Sequence, residues 1–179
     1  AVTVETLNAS QIEILRGPAT LLYGGGATGG VVNVVTDRIP NRLFKRPEGN
    51  AEIRGNTATE EKAGSFNVNK SFGQMSWSLG AFKRKTEDYA IPGQANISGL
   101  SSMHNEQDAQ GMNGDKNIVR NSAVDSQGLS GGGSYIGERG FLGGSISLME
   151  SKYGIPTPEL ASVDQTQARY NLSGELNNP

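Results

Sequence analysis

The chain has 179 residues and a formal net charge of −2, with 16 Lys and Arg against 18 Asp and Glu. This balance argues against a polycationic nucleic-acid-binding protein, because neutralising phosphates needs an excess of basic side chains. The absence of cysteine excludes disulfides, thiolate zinc sites and thiol catalysis. One histidine, His104, makes a histidine-based catalytic site hard to build. No apolar run in the sequence approaches the roughly 20 residues of a membrane-spanning helix.

Glycine is over-represented, with 25 residues, which is about twice its average usage. Apolar residues make up 35% of the chain and the mean hydropathy is −0.45. A low mean hydropathy is compatible with a membrane β-barrel, because lipid-facing and lumen-facing residues alternate along each strand and average to a polar value. It also suits a flexible linker, so the periodicity of the sequence has to decide.

The first forty residues predict two short strands on either side of a glycine-rich loop. Ser10-Gln11-Ile12-Glu13 has the pattern of a capping box, which would begin a helix. Gly17-Pro18 follows too soon for a stable helix, so the alternation favours a strand. After five glycines between Gly24 and Gly30, the β-branched segment Val31–Thr36 predicts a buried strand.

A basic connector follows, from Asp37 to Pro47, with Arg38, Arg42 and Arg46 close together. The composition predicts a solvated linker, and a functional basic patch is the alternative.

From Glu48 onward the hydrophobic period is two, which is the signal of half-buried strands. The alternating apolar positions are Ala51 and Ile53; Phe66, Val68 and Phe72; Met75, Trp77, Leu79 and Ala81; Leu142, Ile146 and Leu148; and Ala168, Tyr170, Leu172 and Leu176. Tight turns are predicted at residues 72–75 and 137–140, and a long polar loop from Pro92 to Gln127. Short turns at one end and long loops at the other are typical of an outer-membrane barrel, here with about six strands.

Three pieces of the first segment resemble the end of the plug domain of TonB-dependent outer-membrane receptors. They are Ile12-Glu13-Ile14-Leu15-Arg16-Gly17-Pro18, Leu22-Tyr23-Gly24 and Gly29-Gly30-Val31-Val32-Asn33-Val34-Val35-Thr36. Residues 82–93, 135–141 and 151–156 resemble the first barrel strands of that family, most closely its zinc-uptake branch. The resemblance predicts an all-β fold. Residues 1–40 form the C-terminal part of a plug domain, and residues 41–179 form about six antiparallel strands of an incomplete transmembrane β-barrel.

The family implies a plug lodged in a barrel of about 22 strands, with substrate bound between the plug and the outer loops. We therefore expect energy-driven uptake of a scarce nutrient, not an enzyme, at the outer membrane of a Gram-negative bacterium. Zinc is the candidate substrate and a ferric siderophore is the alternative. The expected partners are outer-membrane lipid, the TonB energy-coupling complex and a small substrate or metal, with no nucleic acid and no cofactor other than zinc as cargo.

The sequence departs from the family pattern in three respects. The front of the plug with its energy-coupling box and most barrel strands are absent, so we expect the chain to be a piece of a receptor. The loop after Pro156 carries no histidine, whereas zinc-uptake members tend to be rich in histidine there. The third departure weakens the zinc assignment.

Candidate site residues lie in both predicted domains. Tyr23 in the Leu-Tyr-Gly loop is a candidate substrate contact, with a structural role as the alternative. Glu13 and Arg16, three residues apart near the plug end, are predicted to form a structural lock, either as a salt bridge or as contacts between plug and barrel wall. A buried charge left unpaired costs several kcal/mol, which favours such a lock over catalysis.

The long loop holds the best metal-binding candidates, His104, Glu106 and Asp108. Zinc accepts nitrogen and oxygen ligands of these types, although a solvated surface loop is the simpler interpretation. Glu87 and Asp88 are predicted substrate contacts, able to add ligands from a neighbouring loop.

Two rival functions remain at this stage. The glycine run could belong to an enzyme with a phosphate site, but it lacks the Gly-Lys-Ser/Thr ending of a P-loop, since Gly30 is followed by Val31. A soluble β-sandwich or β-solenoid adhesion module would also alternate in this way, but it would have to bury the apolar side of its strands.

Overall fold

The computed structural model describes residues 9, 11–17, 30–92, 118–156 and 160–176. These residues form eight strands, all paired antiparallel, in an all-β fold. The strands are β1 (Gln11–Arg16), β2 (Gly30–Val35), β3 (Glu48–Asn56), β4 (Glu61–Phe72), β5 (Met75–Thr86), β6 (Val124–Gly137), β7 (Gly140–Gly154) and β8 (Ser162–Leu176). Within the described ranges, no helix has the length and hydropathy needed to cross a membrane.

Strands β1 and β2 form a separate hairpin, in register from Gln11 opposite Val35 to Arg16 opposite Gly30. The strand interpretation of Ile12 and its neighbours is therefore confirmed over the helical one. The expectation that β2 is buried is wrong, because the side chain of Val32 is 62% exposed. A ribbon of two strands has too little structure around it to cover both of its faces.

Strands β3 to β8 form one six-stranded sheet in sequence order, so that each strand pairs with the next along the chain. Both predicted tight turns are confirmed: β4 ends at Phe72 and β5 begins at Met75, and β6 ends at Gly137 and β7 begins at Gly140. Gly73 has a φ of 58°, a left-handed conformation that glycine adopts without strain. Strand β6 begins at Val124, inside the segment predicted as loop.

One face of this sheet, the apolar face, carries large hydrophobic side chains on all six strands. The register places these side chains on it: Ile53, Phe66, Val68, Trp77, Leu79, Leu129, Leu142, Ile146, Leu148, Tyr170 and Leu172. They are exposed, with Ile53 at 94%, Trp77 at 55% and Leu172 at 80%. The predicted period of two is confirmed as an alternation between two faces of one sheet.

The opposite face, the polar face, is lined by small and polar side chains. Its members are Ser65, Asn67, Asn69, Ser71, Ser76, Ser78, Ser126, Ser130, Ser134, Ser145, Ser147, Ser151, Gln165, Gln167 and Asn171. Several of these serines are buried, and Ser76 is fully inaccessible to solvent. Such burial of hydroxyl groups requires hydrogen-bond partners.

Two of these buried serines, Ser76 and Ser134, find partners in residues 36–44, hereafter the strap, which connect the hairpin to the sheet. The Ser76 hydroxyl donates to the carbonyl oxygen of Arg42 at 2.8 Å, and the Ser134 hydroxyl donates to that of Pro40. The Phe44 amide donates to Ser71 Oγ at 2.8 Å. The strap thus lies across the polar face and bonds to β4, β5 and β6.

The strap corrects the expectation of a solvated linker. Pro40 and Phe44 are buried in it. The guanidinium carbon of Arg42 lies 4.2 Å from the centre of the Phe44 ring, and this guanidinium also forms a 2.6 Å ion pair with Glu48. The basic side chains led to the prediction of a solvated segment, but its backbone carbonyls accept hydrogen bonds from serines of the sheet.

Candidate functional site

Three connections meet at one end of the six-stranded sheet, hereafter the loop end. Their described parts are residues 57–60, residues 87–92 and 118–123 between β5 and β6, and residues 155–156 and 160–161 between β7 and β8. Backbone hydrogen bonds join them: the Glu87 amide donates to Thr59 O at 2.9 Å, and the Gly154 amide donates to Ala123 O at 3.2 Å. The loop end is therefore an ordered platform around Glu87 and Asp88.

Asp88 is fixed by the segment that precedes β6. Its Oδ1 accepts hydrogen bonds from the amides of Ser122 at 2.7 Å and Ala123 at 2.9 Å. Its Oδ2 accepts one from the amide of Asn121 at 3.1 Å. A carboxylate that accepts three backbone N–H bonds holds the turn in place. The structure therefore gives Asp88 a positioning role in the loop, and its predicted contact with substrate stays a prediction.

Asn121 is a structural residue that the sequence did not reveal. Its φ is 59°, in the left-handed region that asparagine tolerates better than most residues. Its Nδ2 donates to the carbonyl oxygens of Ile155 at 2.8 Å and Ala161 at 2.7 Å. One side chain thus ties the β5–β6 connection to the β7–β8 connection. An asparagine in a polar loop was the only available signal.

Glu87 lies beside Asp88 but outside the hydrogen-bonded turn. Its carboxylate is exposed and forms a 3.1 Å ion pair with the Lys85 ammonium. An exposed pair of this kind contributes little to stability. Of the two acidic residues predicted to bind substrate at this end, Glu87 is the one whose carboxylate accepts no backbone hydrogen bond from the part of the chain that the structure describes.

Glu61 forms a second acidic site that sequence reasoning missed. Its side chain is buried, and it pairs with Arg54 at 2.8 Å and with Arg84 at 3.7 Å. The register explains the cluster, because Ala63 lies between Arg54 and Arg84 on the neighbouring strands, and Glu61 is two residues away on the same face. The carboxylate of Glu61 is thus held in an ion-pair cluster on the polar face, between two guanidinium groups.

Glu13 and Arg16 do not pair with each other in the described structure. Residues three apart in a strand point to opposite faces, which disfavours a direct salt bridge between these two. Glu13 Oε2 instead accepts a hydrogen bond from Asn33 Nδ2 at 2.9 Å, across the hairpin. A lock made by plug-to-wall contacts of these residues stays a prediction.

The remaining site predictions lie outside the described residues. These are Tyr23 in the glycine-rich loop and His104, Glu106 and Asp108 in the long loop. Within the ranges that the structure does describe, no group of three or more acidic or histidine side chains is placed to hold a metal ion.

Comparison with known proteins places the start of the chain in a known family of domains. Residues 1–31 match the TonB-dependent receptor plug domain. A probable TonB-dependent siderophore receptor, PirA of Acinetobacter baumannii, is 43% identical over 56 residues, which is 31% of this chain and 7% of that protein. The ferric enterobactin receptor PirA of Pseudomonas aeruginosa is 61% identical over 33 residues, which is 18% of this chain and 4% of that protein.

These matches support a TonB-dependent receptor, located in the outer membrane of a Gram-negative bacterium. The matched family consists of receptors for transport and not of enzymes. The matched stretches cover only a small part of each relative's length. Both relatives are named for siderophores, so the resemblance to the zinc-uptake branch is not supported.

Proposed function

We propose that this chain forms the end of the plug (residues 1–40) and the first barrel strands (residues 41–179) of a TonB-dependent receptor for a ferric siderophore. The names of two similar receptors support this substrate class. Transport makes and breaks no covalent bond in the substrate. Siderophore binds at the loop end, and the TonB complex supplies the energy that moves the plug. Zinc, our first expectation from the sequence, becomes the second candidate.

The exposed apolar face is the observation that carries the barrel part of this proposal. Its strands have 9 to 15 residues, and about 9–11 residues suffice to cross a bilayer at a tilt. A soluble adhesion module would have to cover such a surface, because large apolar patches in water mark a contact with something else. Hydrocarbon is the contact that fits a face extending over six strands.

A row of charged side chains ends the apolar face on the side of the loop end. The register aligns Lys62, Lys85, Asp125, Lys152 and Asp164 in this row. The Lys152 ammonium lies 2.9 Å from the Asp164 carboxylate, and both side chains are well exposed. Charged groups in this position suit the boundary between hydrocarbon and water. We infer that the loop end faces the outside of the cell, as long loops do in outer-membrane barrels.

The loop end then offers the surface for substrate. Glu87 presents a solvent-exposed carboxylate there, and Asp88 fixes the turn behind it. The connection that carries His104, Glu106 and Asp108 leaves β5 and enters β6 at this same end. Tyr23 is proposed as the contact from the plug side. These residues are candidates for contacts with a siderophore, and for zinc if the second candidate holds.

Transport decides between the two substrates. The full-length receptor is expressed in a Gram-negative strain that lacks its own siderophore receptors. We expect uptake of radiolabelled iron presented as ferric enterobactin, a catecholate probe, and of no radiolabelled zinc, with iron uptake abolished when TonB is deleted. Uptake of zinc without uptake of iron would establish the second candidate, and TonB-independent accumulation would contradict the family assignment for transport.

A charge scan of β8 tests the membrane orientation independently of substrate. Leu172 lies on the apolar face and the adjacent Ser173 faces the other way. If lipid covers the apolar face, Leu172→Arg lowers the free energy of unfolding in lipid vesicles by about 2–4 kcal/mol, while Ser173→Arg changes it by less than about 1 kcal/mol. Equal effects of the two substitutions in a denaturant titration would show that lipid does not cover that face.

A further inference from the structure

A cavity of about 250 Å³ lies between β2 of the hairpin and the polar face of β6, β7 and β8. The residues that matter in its wall are Asn33, Thr36, Arg38, Ser130, Ser147 and Arg169. The cavity is thus lined by all three parts of the described structure: the hairpin, the strap and the sheet. Among the described residues, its wall contains no Asp or Glu.

Two arginines face this cavity from different parts of the chain. Arg38 belongs to the strap, and Arg169 lies on β8 in register with Ser147 of β7. The Nε of Arg38 is shielded from solvent and has no hydrogen-bond acceptor. In the described part of the chain, neither guanidinium forms an ion pair. Burial lowers the pKa of Arg38, and the positive charge of Arg169 lowers it further.

The acidic groups of the hairpin and the strap do not neutralise these charges in the described structure. Glu13 on β1 accepts hydrogen bonds from Asn33 and from Gln11. Asp37, next to Arg38 in the strap, has an exposed side chain. Two like charges at a partly desolvated wall are unfavourable without a counter-charge, because a low local dielectric strengthens their repulsion.

We propose that this cavity is an oxyanion-binding site, in which Arg38 and Arg169 hold a carboxylate or phosphate group between the hairpin and the sheet. Guanidinium groups match the geometry of such groups with paired N–H donors. The hydroxyls of Thr36 and Ser147 line the same wall and can donate the remaining hydrogen bonds. The volume exceeds that of several water molecules, which occupy about 30 Å³ each, so a small anion fits.

The group can come from a free anion or from an acidic side chain elsewhere in the full-length protein. In both cases the carboxylate or phosphate pairs with Arg38 of the strap and with Arg169 of β8. These two pairings hold the hairpin against the polar face. The inference does not rest on the siderophore proposal, because its measurements are binding and unfolding rather than transport.

The test uses the full-length protein in detergent at constant ionic strength. Arg169→Gln and Arg38→Gln each remove one guanidinium, and Arg139→Gln, in the exposed β6–β7 turn, is the matched control. Inorganic phosphate and citrate are titrated by calorimetry. For a free anion, we expect binding that falls by at least about 10-fold in Arg169→Gln and Arg38→Gln, as for the loss of a charge-assisted hydrogen bond, and stays unchanged in Arg139→Gln.

The melting temperature distinguishes a site that is occupied by an acidic side chain of the protein from a site that is occupied by nothing. If an acidic side chain of the protein occupies the site, added phosphate does not bind, and Arg169→Gln melts several degrees below Arg139→Gln because an ion pair is lost. If nothing occupies the site, phosphate does not bind and Arg169→Gln melts at or above the temperature of Arg139→Gln, because the repulsion between two arginines is relieved. This last result overturns the inference. Arg169 lies on β8, away from the strap, so Arg169→Gln keeps the test valid should Arg38→Gln fail to fold.

Discussion

Replacing Gly132 by alanine tests whether the strap needs the close approach of two backbones. A Cβ at this position would overlap the carbonyl oxygen of Arg38, and would lie 2.9 Å from the Arg38 carbonyl carbon and 3.1 Å from the Cβ of Ser145. None of these atoms is the end of a flexible side chain, so the strap itself has to move. The adjacent Gly131 is the control, since a Cβ there would meet its nearest neighbour, the Ser78 carbonyl oxygen, at 3.9 Å.

The expected cost follows from what the strap would lose. Moving it away from β6 breaks the hydrogen bonds from Ser134 and Ser76 to strap carbonyls, worth about 1 kcal/mol each. Overpacking of a tight site costs about 1–3 kcal/mol by itself. We therefore expect Gly132→Ala to lower the free energy of unfolding by about 3–5 kcal/mol, and Gly131→Ala to change it by less than about 1 kcal/mol.

Guanidinium titration of the full-length protein in lipid vesicles measures both free energies. Trypsin provides a local readout, because the strap contains Arg42, whose carbonyl is held by Ser76. Faster cleavage after Arg42 in Gly132→Ala than in Gly131→Ala is expected from a displaced strap. Equal stability and equal cleavage rates in the two variants would refute the reasoning, because they would show that the strap does not lie against β6.

The other predictions concern the loop end. Asp88→Ala removes the acceptor of three backbone amides, so the amides of the Asn121 turn should exchange with solvent deuterium at least about 10-fold faster. Glu87→Ala is the control and should leave their exchange unchanged. Similar exchange in both variants would contradict the positioning role of Asp88. Asn121→Ala should destabilise the protein more than Asn121→Gly, by about 1 kcal/mol, because only glycine keeps the left-handed φ without strain, and reversal of that order in a denaturant titration would show that backbone strain does not matter there. Glu61→Gln leaves Arg54 with a weakened partner and should cost about 2 kcal/mol, and an unchanged unfolding midpoint would show that this buried pairing contributes nothing.

The strands and their faces were predictable because the geometry of a strand produces a recognisable periodicity in its sequence. Side chains alternate with a period of two, so Val68 and Leu79 could be assigned to the apolar side before their register was known. The turns at Gly73 and at residues 137–140 were predictable from glycine in a short polar gap. These patterns are local in the sequence, so they can be interpreted without knowledge of the tertiary structure.

The strap and the loop end were not predictable, because their partners are distant in sequence. The Pro40 carbonyl meets Ser134, and Asp88 meets Ser122, contacts that no spacing along the chain encodes. Glu13 likewise pairs with a distant residue, Asn33 of the facing strand, rather than with a neighbour along the chain.

The serine-held strap has a mechanical consequence for the molecule. It is attached to β4, β5 and β6 through Ser71, Ser76 and Ser134. A mechanical force applied to β1 would be transmitted through β2 and the strap, and it would be distributed over these three strands. Unravelling of the hairpin would therefore meet its first resistance from the sheet at the carbonyls of Asp37 and Pro40, which accept hydrogen bonds from Ser78 and Ser134.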